Sequence, residues 1–393
     1  MRVAVEESIF ARMTALAQRY GAINLAQGLM WLDPDPLLLE ISAQVMQNPQ
    51  LHQYTSPAGE LILRQAIAQI SQHFFGVAYD PEQEITIVAG ATEGIFTAIL
   101  ALTQPGQRAV FLEPAYDSYL ANLHMANLQP HPVAMSIREE GVFMPWEEIE
   151  DTLSPPTSLL LLNFPHNPTG RVLSPRDINL LENLLERFPN VYVVVDEAYE
   201  LMTWAKEWNR EEWIPPTSVR QSPFLRERSV IVGSLGKMVG ATGWRLGYLL
   251  APASITQKLR AVHQFITFCA PTPLQHIVAR YLFDKPERTL YFHSTLLSRR
   301  QTIIQALHNR TSLQYLVPEG SYFVLVRPPM YDHTPEVALA ERWAQHIGVS
   351  VIPLSPFYSD KRSHGWFRLC FARAESMLEE AVSRLALHFP KSA

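Results

Sequence analysis

The feature that most constrains this chain is a recurring unit: a short, apolar, β-branched run that ends abruptly in polar residues or glycine and is followed by an amphipathic stretch. This alternation is typical of an α/β fold. None of the runs keeps the apolar/polar alternation of a strand with one wet face, so we expect buried strands. The runs occupy residues 85–88, 109–112, 158–162, 191–195 and 230–232.

The side chains best suited to chemistry follow directly after these runs, at residues 90–94, 113–116, 163–168, 196–199 and 234–237. In an open α/β sheet a ligand binds beyond the carboxyl ends of the strands. We therefore expect the five segments to line one crevice.

The composition changes after about residue 285. A long helix is predicted over 287–309, followed by strand-rich sections around 322–326 and 367–371. These elements indicate a second, smaller α+β domain, and the proline-rich residues 33–36 are expected to form an arm crossing between the two domains. The predicted division is an N-terminal arm with part of the small domain at 1–45, a large domain at 46–285 and the small domain at 286–393.

Composition excludes several classes of protein. With 393 residues, 47% hydrophobic and 18% charged, the chain can close a sizeable core. The 32 basic and 38 acidic residues give a net charge of −6, which predicts no nucleic-acid partner. The two cysteines, Cys269 and Cys370, cannot form a disulfide framework and are expected to be buried thiols. The 13 histidines show no ligand spacing, so we predict no metal.

The sequence also predicts no membrane association. Residues 1–10 are interrupted by Glu6, Glu7 and Ser8 and lack the apolar core of a secretory signal. No apolar stretch approaches the ~20 residues that span a bilayer. We expect a soluble, cytoplasmic protein.

Lys237 follows the last buried run and lies among glycines, including Gly236 and Gly240, that let backbone approach a ligand closely. A lysine held there can be desolvated, which lowers its pKa and makes it an amine nucleophile toward an aldehyde. The alternative is an ordinary solvated lysine.

Asp196 ends a buried run, where an ionised carboxylate needs a cation or a strong donor. Either a structural salt bridge or the protonated ring nitrogen of a cofactor could supply that partner. Arg245 and Ser234 could grip a phosphate, and the backbone amides of residues 90–92, at the start of a predicted helix, suit the same anion. Thr92 could instead be a plain helix cap.

Four further side chains have both a structural and a functional interpretation. Asn167 lies in a proline-rich turn, yet its amide could donate to a ring oxygen. Tyr199 could be packed or could donate to that oxygen, and Tyr116 could be core or could stack on a planar ring. Arg368 lies in an apolar strand, where a buried guanidinium needs either a structural acid or a substrate carboxylate.

Together these segments resemble the class I/II aminotransferases of pyridoxal-phosphate fold type I. The resemblance runs in order from about residue 27 to residue 371. Residues 262–268 and 352–358 are most similar to the branch that holds methionine aminotransferases and kynurenine or glutamine transaminases. Residues 28–31 and 238–240 differ from that branch where the family shapes its substrate pocket. The matching segments are Tyr54 with Gly59 and Leu63-Arg64, Gly90-Ala91-Thr92-Glu93, Pro114-Ala115-Tyr116, residues 163–170, Asp196-Glu197-Ala198-Tyr199, residues 234–237, Gly243-Trp244-Arg245 and Arg368.

The resemblance implies a fold type I architecture, in which a mostly parallel mixed sheet lies between helices. It also implies that Lys237 forms a Schiff base with pyridoxal 5′-phosphate and moves the proton during amino transfer. Asp196 would keep the pyridine nitrogen protonated, Asn167 and Tyr199 would hold the ring oxygen, and Tyr116 would stack on the ring.

The remaining roles also come from the resemblance. Ser234, Arg245 and the backbone amides of Ala91 and Thr92 would bind the phosphate. Tyr54 would reach that phosphate from the neighbouring subunit, so the enzyme would be at least a homodimer with shared active sites. Among the groups that meet the substrate, Arg368 would clamp its α-carboxylate, with Gly28 and Asn167 beside it.

The expected reaction is ping-pong transfer of an amino group from a neutral L-amino acid, of the methionine, glutamine, aromatic or kynurenine type, to a 2-oxo acid. One alternative is a pyridoxal-phosphate-dependent β-lyase acting on cysteine conjugates. A second is a serine acyl-transfer enzyme, since Ser234 and Lys237 satisfy S-x-x-K, although the motif follows a strand rather than opening a helix and lacks the supporting S-D-N and K-T-G elements. A third is a non-catalytic sensor domain, for which the chain has no DNA-binding segment.

Overall fold

The computed structural model describes residues 8–207 and 213–391. The predictions for residues 1–7, including the charges of Glu6 and Glu7, lie outside the described residues. The helices are α1 Ile9–Tyr20, α2 Pro36–Met46, α3 Leu61–Phe75, α4 Ala91–Leu102, α5 Ser118–Met125, α6 Trp146–Thr152, α7 Pro175–Glu186, α8 Pro223–Arg226, α9 Leu235–Met238, α10 Ala253–Ile266, α11 Thr272–Leu282, α12 His293–Arg310, α13 Glu336–Arg342 and α14 Glu375–His388.

The strands fall into one large sheet, one small sheet and two short pairs. They are β1 Ile23–Asn24, β2 Ile85–Val88, β3 Arg108–Glu113, β4 Gln129–Ala134, β5 Ser136–Arg138, β6 Gly141–Phe143, β7 Thr157–Asn163, β8 Tyr192–Asp196, β9 Ser229–Gly233, β10 Gly247–Leu250, β11 Gln314–Leu316, β12 Phe323–Arg327, β13 Val349–Ser350, β14 Ile352–Pro353 and β15 Phe367–Cys370.

The large sheet has seven strands in the order β2-β10-β9-β8-β7-β3-β4. Strand β10 is antiparallel to both of its neighbours, while β9, β8, β7, β3 and β4 pair in parallel. The five predicted runs all form strands of this sheet, and all five point in the same direction. The predicted α/β class, with a mostly parallel mixed sheet, is confirmed.

Alternation along each strand explains why this sheet is buried on both faces. In β8, Val193 and Val195 join the core cluster that contains residues of α3, α7 and α11, and Val194 joins the cluster that contains residues of α4 and α10. All three valines are fully buried. Because both faces of the sheet are buried and need apolar side chains, each strand is a continuous apolar run in the sequence.

The small sheet, β11-β12-β15-β14, is antiparallel throughout. Its core includes residues of α12 and α14, together with Met13 from α1. Strand β1 pairs with β13 through Ile23 and Val349, so the N-terminal segment packs with the C-terminal part of the chain. This packing agrees with the predicted division, whose boundaries stay a prediction.

One local prediction needs correction. The single helix expected over 287–309 is a 3₁₀ turn, Pro286–Leu290, followed by α12 from His293. The ring of Phe292, between them, lies so close to Gly240 that a Cβ there would fall 2.5 Å from it.

Residues 33–36 were predicted to form an arm crossing between the two domains. They lie between Met30, in the core of the small sheet, and Leu38 of α2, in the core of the large sheet. Asp35 caps α2 by accepting from the backbone N–H of Leu37 at 2.9 Å. The role of these residues as an arm stays a prediction.

Other expectations can be compared directly with the described residues. Cys370 is buried, but Cys269 is only half-buried, so the expectation of two buried thiols is wrong for Cys269. None of the helices within the described ranges has the length and apolar character needed to cross a membrane. Those same residues contain no group of three or more His, Cys, Asp or Glu side chains placed to hold a metal ion.

Candidate active site

A cavity of about 350 Å³ lies where the carboxyl ends of the parallel strands meet the small sheet. It brings together nine of the residues predicted for the site: Gly28, Ala91, Thr92, Tyr116, Asn167, Asp196, Tyr199, Lys237 and Arg368. Tyr54, Ser234 and Arg245 do not line it. The volume is in the range typical of small-molecule sites.

Asp196 is the last residue of β8 and lies in register with Asn163 of β7. Its Oδ1 accepts from the backbone N–H of Ala198 at 3.0 Å, and its Oδ2 accepts from the Tyr119 hydroxyl at 2.6 Å. Burial raises the pKa of Asp196, while these two hydrogen bonds and the charge of Lys237 act against that rise. The acid is thus buried but supported in its ionised form.

Lys237 lies in the short helix α9, directly after β9. Burial lowers the pKa of its amine, as does Arg245, while the charge of Asp196 opposes the shift. Its Nζ lies 4.9 Å from the centre of the Tyr199 ring. A buried amine with a lowered pKa is a better nucleophile at neutral pH.

The same helix corrects one argument made from the sequence. Ser234 occupies the N-cap position of α9, and its carbonyl accepts from the backbone N–H of Lys237 at 3.2 Å. The S-x-x-K motif therefore does open a helix, contrary to expectation. The absence of the S-D-N and K-T-G elements still speaks against an acyl-transfer enzyme.

The N-terminus of α4 forms the end of the site best suited to an anion. Gly90 caps this helix with a positive φ of 89°, and a Cβ atom there would lie 2.7 Å from Arg245 Nη2. Arg245 is exposed and Ser234 is buried. Thr92 lies inside the helix and hydrogen bonds the Tyr116 side chain, so the interpretation of Thr92 as a plain cap is wrong.

Arg368, on β15, is fully buried at the opposite end of the cavity. Its Nη1 donates to Asn167 Oδ1 at 2.7 Å and its Nη2 to the carbonyl of Ala26 at 2.8 Å. Its Nε finds no hydrogen-bond partner among the described residues. The Phe323 ring lies 4.0 Å from the guanidinium carbon, so this cation is held by a neutral amide, a carbonyl and an aromatic face.

A chain of hydrogen bonds joins the two ends of the cavity. Asn163 donates to the carbonyl of Asp196 at 2.8 Å and accepts from the backbone N–H of Asn167 at 2.9 Å. Because a guanidinium can only donate, Arg368 fixes the amide oxygen of Asn167 and leaves the amide nitrogen available.

A buried ion cluster lies directly behind the segment that carries Asp196 and Tyr199. Arg220 donates to both Glu197 and Glu200, the latter at 2.6 Å. Burial raises the pKa of Glu197 to about 7, against the effect of the Arg220 charge. Breaking such a cluster by removing one partner is strongly destabilising, so it stabilises the loop that follows β8.

Tyr54 lies on the protein surface, away from the cavity. It is 85% exposed, and its ring meets Phe268 edge-on with 5.5 Å between centroids. Within this single chain, Tyr54 therefore does not contribute to the cavity.

Three neighbours of the site were not predicted from the sequence. Tyr119 lies in the first turn of α5, while Tyr116 precedes that helix, so helical spacing does not relate the two side chains. Phe323 was predicted as part of a strand but was given no role. Phe10, from the first turn of α1, lines the cavity, and nothing in its sequence surroundings indicates this.

Comparison with known proteins bears on what this arrangement does. Residues 21–385 match the family model described as aminotransferase class I and II. The methionine aminotransferase of Escherichia coli is 36% identical over 379 residues, covering 96% of this chain and 95% of that protein. The kynurenine–oxoglutarate transaminase of Dictyostelium discoideum is 27% identical over 414 residues, covering 96% and 93%.

Comparison with a solved structure gives the same result. An Escherichia coli structure described as having a methionine aminotransferase function has a TM-score of 0.91 and 35% identity, covering 98% of this chain and 97% of that one. The predicted family, enzyme class and cofactor are confirmed. The chain belongs to the class I and II aminotransferases, enzymes that depend on pyridoxal phosphate.

Proposed function

We propose that this enzyme transfers the amino group of a neutral L-amino acid to a 2-oxo acid by a ping-pong mechanism, in the cytoplasm. The donor class is that of methionine, glutamine, aromatic amino acids and kynurenine. The observation that carries the proposal is that Lys237, Asp196 and Arg368 line one cavity, with Asp196 and Arg368 buried and Lys237 half-buried. The apolar lining by Phe10, Leu29 and similar side chains supports a neutral substrate side chain, as do the activities for which the relatives are named.

The residues present fit pyridoxal phosphate. The site offers a buried amine, a buried acid, a helix N-terminus beside Arg245 and an arginine with one unpaired buried N–H group. When bound, the cofactor supplies an aldehyde that condenses with amines and a ring that accepts electrons from Cα.

Lys237 and Asp196 carry the central roles in this proposal. The amine of Lys237 would hold the cofactor's aldehyde and would move a proton from Cα of the substrate. The carboxylate of Asp196 would hold a proton on the pyridine nitrogen, because an adjacent negative charge favours the charged ring.

The other cavity residues orient the ring. Tyr116 would stack on it, and the free amide nitrogen of Asn167 and the hydroxyl of Tyr199 would donate to the ring oxygen. Arg245, Ser234 and the backbone amides of Ala91 and Thr92 at the start of α4 would bind the phosphate, as at other helix N-termini.

Arg368 binds the α-carboxylate shared by all substrates, with Asn167 and Gly28 beside it. A Cβ at position 28 would lie 3.0 Å from the Phe323 ring, so a larger residue there would have to displace that ring. The unpaired Nε of Arg368 is the donor that a carboxylate would satisfy.

Replacing Arg368 tests this assignment. Arg368→Ala should lower kcat/KM for every amino donor, because it removes a buried charge partner. The expected loss corresponds to about 2–5 kcal/mol of transition-state binding. The matched control is Arg300→Ala: Arg300 is equally buried but donates to the carbonyls of Pro318 and Ala205. The control should lose stability and keep kcat/KM, measured per folded protein, within a few-fold. Equal kinetics in the two variants would refute the role of Arg368.

A panel of amino donors against several 2-oxo acids tests the proposed reaction. Methionine, glutamine, phenylalanine or kynurenine should be the best donor, with parallel double-reciprocal plots as ping-pong kinetics require. Aspartate as clearly the best donor would overturn the substrate class. Pyruvate release from a cysteine conjugate without any acceptor would favour the β-lyase alternative.

We further propose that the enzyme is a homodimer in which the partner subunit's Tyr54 reaches the phosphate. The rings of Tyr54 and Phe268 are in contact and are 85% and 45% exposed, and exposed apolar patches mark protein–protein contacts. Sedimentation equilibrium at micromolar concentration should give a dimer mass, and a purely monomeric protein that is fully active would contradict the shared site.

A further inference from the structure

Tyr119 is a buried tyrosine that the mechanism above does not use. It lies on α5, and its hydroxyl donates to Asp196 Oδ2 at 2.6 Å. Its ring stands edge-on to that of Tyr116, with 5.8 Å between centroids and 84° between planes. One side chain therefore contacts both the acid proposed to face the pyridine nitrogen and the ring proposed to stack on the cofactor.

The carboxylate of Asp196 is held at both oxygens. Ala198 donates to Oδ1 and Tyr119 to Oδ2. Two donors on different oxygens fix the rotation of the carboxylate, while each oxygen keeps a lone pair for a further donor. The acid is thus oriented by the protein itself, as second-layer hydrogen bonds orient ligands at other functional sites.

The hydrogen bond from Tyr119 also affects the charge state of Asp196. Burial raises the pKa of Asp196, and donation by Tyr119 opposes this because it favours the ionised carboxylate. Burial also raises the pKa of Tyr119 well above its usual value, so it remains a neutral donor. The other ionisable side chains that face Asp196 are Lys237, Tyr116 and Tyr199.

We propose that Tyr119 is a positioning residue for the cofactor, which acts through Asp196 by holding its carboxylate in the orientation and charge state that meets the protonated pyridine nitrogen. This inference rests on the proposed role of Asp196. It adds a residue that touches neither cofactor nor substrate in that mechanism.

Tyr119→Phe is the direct test because it removes the hydroxyl and keeps the packed ring. The matched control is Tyr281→Phe, since Tyr281 is also buried and donates to a carboxylate, Asp35 Oδ2, at 2.7 Å away from the cavity. The full-length proteins, freed of cofactor by dialysis, are titrated with pyridoxal phosphate. Tyr119→Phe should raise the Kd about five- to fifty-fold, in keeping with loss of a hydrogen bond to a charged group, and Tyr281→Phe should change it less than twofold.

Asp196→Asn and the double variant Asp196→Asn/Tyr119→Phe complete a double-mutant cycle with Tyr119→Phe and the parent enzyme. If Tyr119 acts through Asp196, the double variant binds the cofactor within about twofold of Asp196→Asn alone, because coupled residues are not additive. A purely structural tyrosine would give additive losses, which would overturn the inference, as would a Tyr119→Phe Kd within twofold of the parent. If Asp196→Asn itself binds the cofactor as tightly as the parent, the proposed role of Asp196 fails instead.

Discussion

The structure depends on one electrostatic constraint: an amine and a carboxylate are buried at the ends of adjacent strands, facing one cavity. Burial disfavours the charged forms of both groups, lowering the pKa of Lys237 and raising that of Asp196. In the proposed mechanism pyridoxal phosphate suits both groups, because its aldehyde would react with a neutral amine and its ring nitrogen would bring a positive charge to the acid.

The surrounding residues keep this arrangement rigid. The chain from Asp196 through Asn163 and Asn167 to Arg368 connects a strand of the large sheet to a strand of the small sheet. Behind the same loop, Arg220 pairs with two buried glutamates. Breaking one of these bonds would leave a buried polar group unpaired, so the network links the two sheets beside the cavity.

Much of this could be predicted from local sequence patterns. The five strands were predicted because burial on both faces demands continuous apolar runs, and their ends indicated Asp196, Asn167 and Lys237. Arg368 could be predicted because a charged side chain within a buried apolar strand requires a partner of opposite charge. The single helix over 287–309 was wrong because the chain breaks between a 3₁₀ turn and α12, where Phe292 packs against Gly240, a residue distant in sequence.

Other parts of the site depend on packing that no local pattern records. Thr92 was interpreted as a possible cap, but Gly90, with its positive φ, is the cap and the helix starts two residues earlier than a threonine cap at position 92 would start it. Phe10 enters the cavity only because α1 packs beside the small sheet, and Tyr119 matters through a hydrogen bond to a strand 77 residues away in sequence. The role of Tyr54 concerns a second chain and stays a prediction.

The most direct test of the central claim is borohydride reduction of the enzyme with its cofactor bound, followed by peptide mass mapping. The account predicts about one pyridoxyl label per chain, on Lys237, because this amine is buried in the cavity and its pKa is lowered. Lys237→Ala should carry no such label, while replacement of the exposed Lys258 should leave labelling unchanged. A stoichiometric label on Lys258 or on any lysine other than Lys237 would contradict the account.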